Sequence, residues 1–156
     1  MNRQYLILLL LFVCFSPLHQ VKSQNYQTAL SLRLGTSSGV GIKKVLGRRS
    51  PFAIEGMALY RLGGARALVL FESHLELYDG GYIVLGAGGH GGYRYISVEN
   101  TNYPVAGLDA LVEYEHEMYG TPFLLGFYFK PHYEFLIPKL FYTHNIGLSV
   151  KLMMDY

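Results

Sequence analysis

The chain has 156 residues, 51% of them apolar and 15% charged, with one Cys and no Trp. That length suits one domain, the apolar share excludes a disordered chain, and the single Cys excludes a disulfide scaffold. A formal net charge of +2 gives little pull on phosphate, so nucleic acid is not expected as a partner.

Residues 1–23 read as a cleavable secretory signal. Arg3 gives a positive start, Leu6–Phe15 is an apolar run, Pro17 breaks it, and Val21-Lys22-Ser23 ends on a small residue. The run is far short of the roughly 20 residues that a spanning helix needs. A lipoprotein variant would need acylation of Cys14, which bulky Val13 precedes. Taking Arg3 and Lys22 from the 13 Lys and Arg leaves 11, against 11 Asp and Glu. The exported domain, 24–156, is therefore expected to be close to neutral.

From residue 24 onward the apolar period is two, not 3.6, which predicts strands. Tyr26, Thr28, Leu30, Leu32 and Leu34 alternate with Gln27, Ala29, Ser31 and Arg33. Ala106, Leu108, Ala110, Val112 and Tyr114 alternate with Gly107, Asp109, Leu111, Glu113 and Glu115. Phe123, Leu125, Phe127 and Phe129 alternate with Leu124, Gly126, Tyr128 and Lys130. In the last segment Tyr142, Ile146, Leu148, Val150, Leu152, Met154 and Tyr156 share one face, interrupted by His144. Turn signals cut the chain into eight strands near 26–35, 40–47, 52–62, 66–77, 82–95, 105–118, 122–134 and 140–155. The longest exposed loop is expected over 96–104. Lys43-Lys44 breaks the second strand's alternation and, like Arg48-Arg49, reads as a solvated turn or a contact to anionic headgroups.

A soluble barrel turns its apolar face inward and a membrane barrel turns it outward. Here the polar face is crowded with glycine (Gly86, Gly88, Gly92, Gly107, Gly126, Gly147) and with both signs of charge. A narrow lumen needs small residues, and buried charges need opposite partners. Aromatics cluster near strand ends, at Tyr26, Phe52, Tyr60, Tyr78, Tyr82, Tyr93, Tyr95, Tyr114, Tyr119, Phe123, Tyr142 and Tyr156, where interfacial girdles belong. The predicted fold is all-β: an eight-stranded antiparallel up-and-down transmembrane β-barrel following a cleaved signal peptide. Its lumen is expected to hold a structural ion-pair network of Arg33, Glu55, Arg61, Glu72, His74, Glu76, His90, Arg94, Asp109, Glu113, Glu115, Lys130 and Lys151.

The exported chain resembles the small eight-stranded outer-membrane proteins of Gram-negative bacteria, the OmpX/OmpA-like barrel group. The likeness rests on the signal, on Gly86-Ala87-Gly88-Gly89-His90-Gly91-Gly92, and on Gly107-Leu108-Asp109-Ala110 with Glu113-Tyr114. Pro122 before strand seven, Lys130-Pro131 at its end and the terminal Leu148–Tyr156 complete it. The resemblance implies an assembly signal at Leu148, Val150, Leu152, Met154 and Tyr156, read by the barrel-assembly machinery; such signals usually end in Phe. It implies a location in the outer membrane with lipid as the surrounding partner, and a monomer. The fold hosts several functions, so it implies no particular activity.

Three chemical readings compete with a passive lumen. Gly86–Gly91 fits G-x-G-x-x-G, but the dinucleotide fingerprint needs a helix to follow, and Tyr93–Val98 is strand-like. His74 shares a face with Glu72 and Glu76 and could meet His90 around a divalent ion, whereas His116 points away from Glu113, Glu115 and Glu117. A lipid-modifying enzyme would need a lipid-facing Ser near a His and an acid, yet His144 and Ser149 fall on opposite faces. The expectation is therefore a structural or surface-interaction protein without catalysis, cofactor or metal. A soluble secreted ligand-binding barrel and an outer-membrane lipid-modifying enzyme are the alternatives.

Overall fold

The computed structural model describes residues 26–47, 50–61, 64–96, 101–136 and 140–154, with backbone alone for Arg61, Ile96, Thr101 and Leu140. These residues form strands and turns, with no helix. The elements are β1 (Thr28–Gly35), β2 (Ser38–Val45), β3 (Phe52–Arg61), β4 (Gly64–Tyr78), β5 (Gly81–Ile96) and β6 (Thr101–Glu117). They continue with β7 (Phe123–Phe129), β8 (His132–Glu134), β9 (Leu140–Tyr142) and β10 (Ile146–Met153). The pairings run β5-β4-β3-β2-β1-β10-β7-β6, and β6 then pairs with β5 to close the ring. All are antiparallel, and the first strand meets the last, Ala29 lying opposite Met153.

The barrel has eight staves, but the last two are each built from two elements. Lys130-Pro131 interrupts the seventh between β7 and β8, and residues 143–145 interrupt the eighth between β9 and β10. Proline lacks the N–H that a continuous ladder would use. Pairing between these staves runs Phe129 to Ile146 below the break and His132 to Tyr142 above it, which slips the register by one residue. A one-residue slip turns a strand's side chains to the opposite face. Tyr142 thereby packs on buried His132, whereas alternation placed it outside.

Two further expectations are corrected. The segment 101–104 belongs to β6, pairing with Tyr93–Ile96, so the connection between β5 and β6 spans only 97–100, outside the described residues. Asn102 and Pro104 look like turn formers, yet a wall strand already in register continues through them. Tyr26 and Tyr82 are buried rather than girdle residues. Tyr26 precedes β1, so the strand's alternation does not fix its direction. Elsewhere the hairpins are tight: Asp79-Gly80 joins β4 to β5, with Gly80 at φ +81°, a backbone conformation suited to glycine.

Side chains alternate strictly through most of the wall. Leu30, Leu32 and Leu34, Val40 and Ile42, and Phe123, Leu125, Phe127 and Phe129 face outward. Their neighbours fill the interior. Tyr26, Ala29, Val45, Ala53, Leu124 and Met153 form an apolar floor at the end holding the start of β1 and the end of β10. Met57, Leu59, Leu68, Leu70, Val84, Leu111 and Tyr128 form a second apolar cluster. Charged groups occupy the remaining interior.

Candidate functional site

The interior charges form two groups. Nearer the floor, β1, β2 and β10 contribute Arg33, Lys43 and Lys151, while β3, β4 and β6 contribute Glu55, Glu72, Glu113 and Glu115. All seven side chains are fully buried. Arg33 Nη2 donates to Glu55 Oε2 at 2.6 Å and to Glu113 Oε2 at 2.9 Å, and its guanidinium sits over the Tyr128 ring. Lys43 Nζ lies 2.9 Å from Glu72 Oε2 and 2.8 Å from Glu115 Oε1. Lys151 reaches Glu113 Oε1 at 3.1 Å and also bonds Glu115. Ser31 donates to Glu55 and Ser149 to Glu113. Buried charges persist only when paired in this manner, since each loses its hydration.

The second group lies toward the loop end, where β1–β2 and β3–β4 turn. His90 Nδ1 lies 2.5 Å from Asp109 Oδ2, and Lys130 Nζ lies 3.5 Å from Asp109 Oδ1. Arg66 Nη2 and Arg94 Nη2 both donate to Glu134 Oε1, at 2.5 and 2.9 Å. Arg66 Nη1 meets His132 Nε2 at 3.0 Å, and Arg94 Nη1 donates to the Tyr142 hydroxyl at 2.7 Å.

Most residues expected in the lumen are thus found there, divided between these groups. Glu76 is half-buried at the end of β4. The side chain of Arg61 lies outside the described residues, as do Arg48, Arg49 and Tyr156. Lys43 is the main correction: it is fully buried, whereas Lys44 is exposed, because adjacent strand residues point to opposite faces. Arg66, His132 and Glu134 were also missed. Their parity signals were present, since Arg66 continues the Leu68-Leu70-Glu72 face and His132 and Glu134 continue that of Lys130.

His74 lies 3.9 Å from Glu72 and 4.0 Å from Glu115 in the floor-side group. His90 sits opposite Leu68, six residues back along β4, or about 20 Å away. Among the described residues, no group of three or more His, Cys, Asp or Glu side chains is arranged to hold a metal ion. His144 is exposed beside Thr143, while Ser149 is buried on Glu113.

The glycine run opens no helix but continues as strand to Ile96. Its glycines differ in what surrounds them. A Cβ at Gly88 would come within 1.9 Å of the Val69 carbonyl oxygen, whereas at Gly91 the closest atom is 4.0 Å away. Gly91→Ala is therefore expected to leave the midpoint of urea unfolding near that of the parent. Gly88→Ala should lower stability by about 1–3 kcal/mol or more through overpacking, and equal midpoints would refute this assignment.

No known protein family, curated protein or solved structure matches this chain.

Proposed function

We propose that this chain is an integral outer-membrane β-barrel protein with a structural or surface-interaction role, a filled, charge-paired lumen and no catalytic task. The observation that carries this reading is the inversion of the barrel. Leu32, Val40, Ile42, Phe71, Phe127 and Leu148 stand on its outside, each more than 40% exposed, while Arg33, Lys43, Lys151 and four glutamates are sealed inside. Contiguous outer apolar surface of this kind needs an apolar surrounding, and a closed barrel is the one sheet that lipid tolerates, because it has no unpaired edge. Aromatics near strand ends, among them Phe52, Tyr60, Tyr78, Tyr93 and Tyr119, suit the two interfaces of a bilayer.

The role follows from the lumen. Eight staves leave an interior that side chains can fill, and here paired charges and two apolar clusters fill it. Such an interior rigidifies the wall and gives large solutes no passage. A soluble carrier of apolar ligands would need the opposite arrangement, an apolar interior with room in it.

Expression of the full-length chain, density-gradient separation of membranes and gels of boiled and unboiled samples test the reading. Recovery with the outer membrane and a heat-dependent mobility shift are expected. Soluble recovery without a shift would overturn the membrane assignment and favour a secreted binding barrel.

A further inference from the structure

Beside the floor-side charges lies a titratable side chain that the structural role does not use. His74, two residues beyond Glu72 on β4, is only 2% exposed. Its Nδ1 lies 3.1 Å from the Pro51 carbonyl oxygen. A carbonyl only accepts, so Nδ1 carries the ring hydrogen, and Nε2 is the atom at which a further proton arrives or leaves. Nε2 is buried without a hydrogen-bond partner. It lies 3.9 Å from Glu72 Oε2 and 4.0 Å from Glu115 Oε2.

Carboxylates outnumber cations around this atom. Arg33 from β1, Lys43 from β2 and Lys151 from β10 meet Glu55 from β3, Glu72 from β4, and Glu113 and Glu115 from β6, all fully buried. Lys43 is shared between Glu72 and Glu115, and Lys151 between Glu113 and Glu115. On the other side, β5 sets Gly86 opposite Glu72 and Val84 opposite His74, and neither titrates. Tyr26 and Leu124 belong to the adjoining apolar floor, where Tyr26 is the remaining titratable group. Among the described residues, the fourth carboxylate of this group has no cation of its own. A buried charge left unmatched is costly, and a proton is the counter-charge that needs neither space nor a cage of ligands.

We propose that His74 and Glu72 form a proton-binding site inside the barrel, with one proton held between Nε2 and Oε2. The proton brings the charges of the floor-side group to zero. It also gives Nε2 a partner once the two side chains close to ordinary hydrogen-bond distance. An imidazolium facing a carboxylate and a carboxylic acid facing a bare imidazole nitrogen are the two ends of this one contact. A bridging water would satisfy Nε2 but leave the fourth carboxylate unmatched. This inference concerns the interior alone and does not depend on what surrounds the barrel.

The test compares urea unfolding of the full chain and of its Glu72→Gln variant between about pH 5 and 7. Gln keeps the shape and leaves three carboxylates for three cations, so the variant has no use for the proton. In the unfolded parent, Glu72 has lost its proton above about pH 5. The folded parent then carries one proton more than the folded variant, so its stability relative to the variant falls as pH rises. Its folding equilibrium constant should drop about tenfold per pH unit against that of the variant, the linkage of a single proton. Every other titrating group is common to both chains and cancels. Parallel pH curves, which a bridging water predicts, would overturn the proposal. Nitrogen NMR of the histidine-labelled parent at pH 6 decides the matter if Glu72→Gln fails to fold. His74 Nε2 should show the shift of a protonated or strongly hydrogen-bonded nitrogen, and a bare lone-pair nitrogen there would overturn the site.

Discussion

Replacing Lys43 with Met is expected to destabilise the barrel by about 3–5 kcal/mol, the usual consequence of leaving a buried charge without its partner. Lys43 stands between Glu72 and Glu115, with all three side chains fully buried. Its loss leaves Arg33 and Lys151 to balance four carboxylates. The same count predicts a partial rescue. Adding Glu72→Gln to Lys43→Met restores the parent's balance of one surplus carboxylate, so the double variant should be more stable than Lys43→Met alone. Glu72→Gln alone should cost under about 1 kcal/mol, because Lys43 keeps Glu115 and three carboxylates would remain for three cations. Urea unfolding of the three variants measures these differences. A Lys43→Met barrel as stable as the parent would mean that Lys43 is not sealed from water.

The second expected result separates the possible surroundings of the wall. Leu32 points outward from the middle of β1, flanked by Val40 and Val150 on the adjoining staves, and is 41% exposed. In a bilayer, Leu32→Arg places a charge near the midplane and should cost about 2–4 kcal/mol. On a wall facing water, the same substitution should stay within about 0.5 kcal/mol. Unfolding of both forms from lipid vesicles gives the difference. A neutral result with the folded barrel recovered would remove the basis for lipid on this face.

The alternation of Leu30 to Leu34 with Ser31 and Arg33, and of Phe123 to Phe129 with Leu124 to Lys130, carries most of the architecture. It states which residues face each way without any knowledge of pairing. It fails where continuity fails. Tyr142 turned inward because residues 143–145 slip the eighth stave, a tertiary event with no local signature beyond a weak break at His144. Lys43 was misread for another reason: paired lysines look solvated unless the glutamates opposite are counted. Glu55, Glu72, Glu113 and Glu115 require more cation than Arg33 and Lys151 supply, and that shortage is visible in the chain.

The pairing of β1 with β10 also governs how the molecule comes into being. Arg33 finds Glu113 across 80 residues of sequence, and the complete floor-side group runs from Arg33 on the first stave to Lys151 on the last. A nascent barrel lacking its last stave would have two open edges and, without Lys151, only Arg33 and Lys43 for four floor-side carboxylates. Wall and interior are then completed in one late step, when the chain's two ends zip together. Folding limited by such distant pairings is slow, and a partly built form gains little stability to linger on.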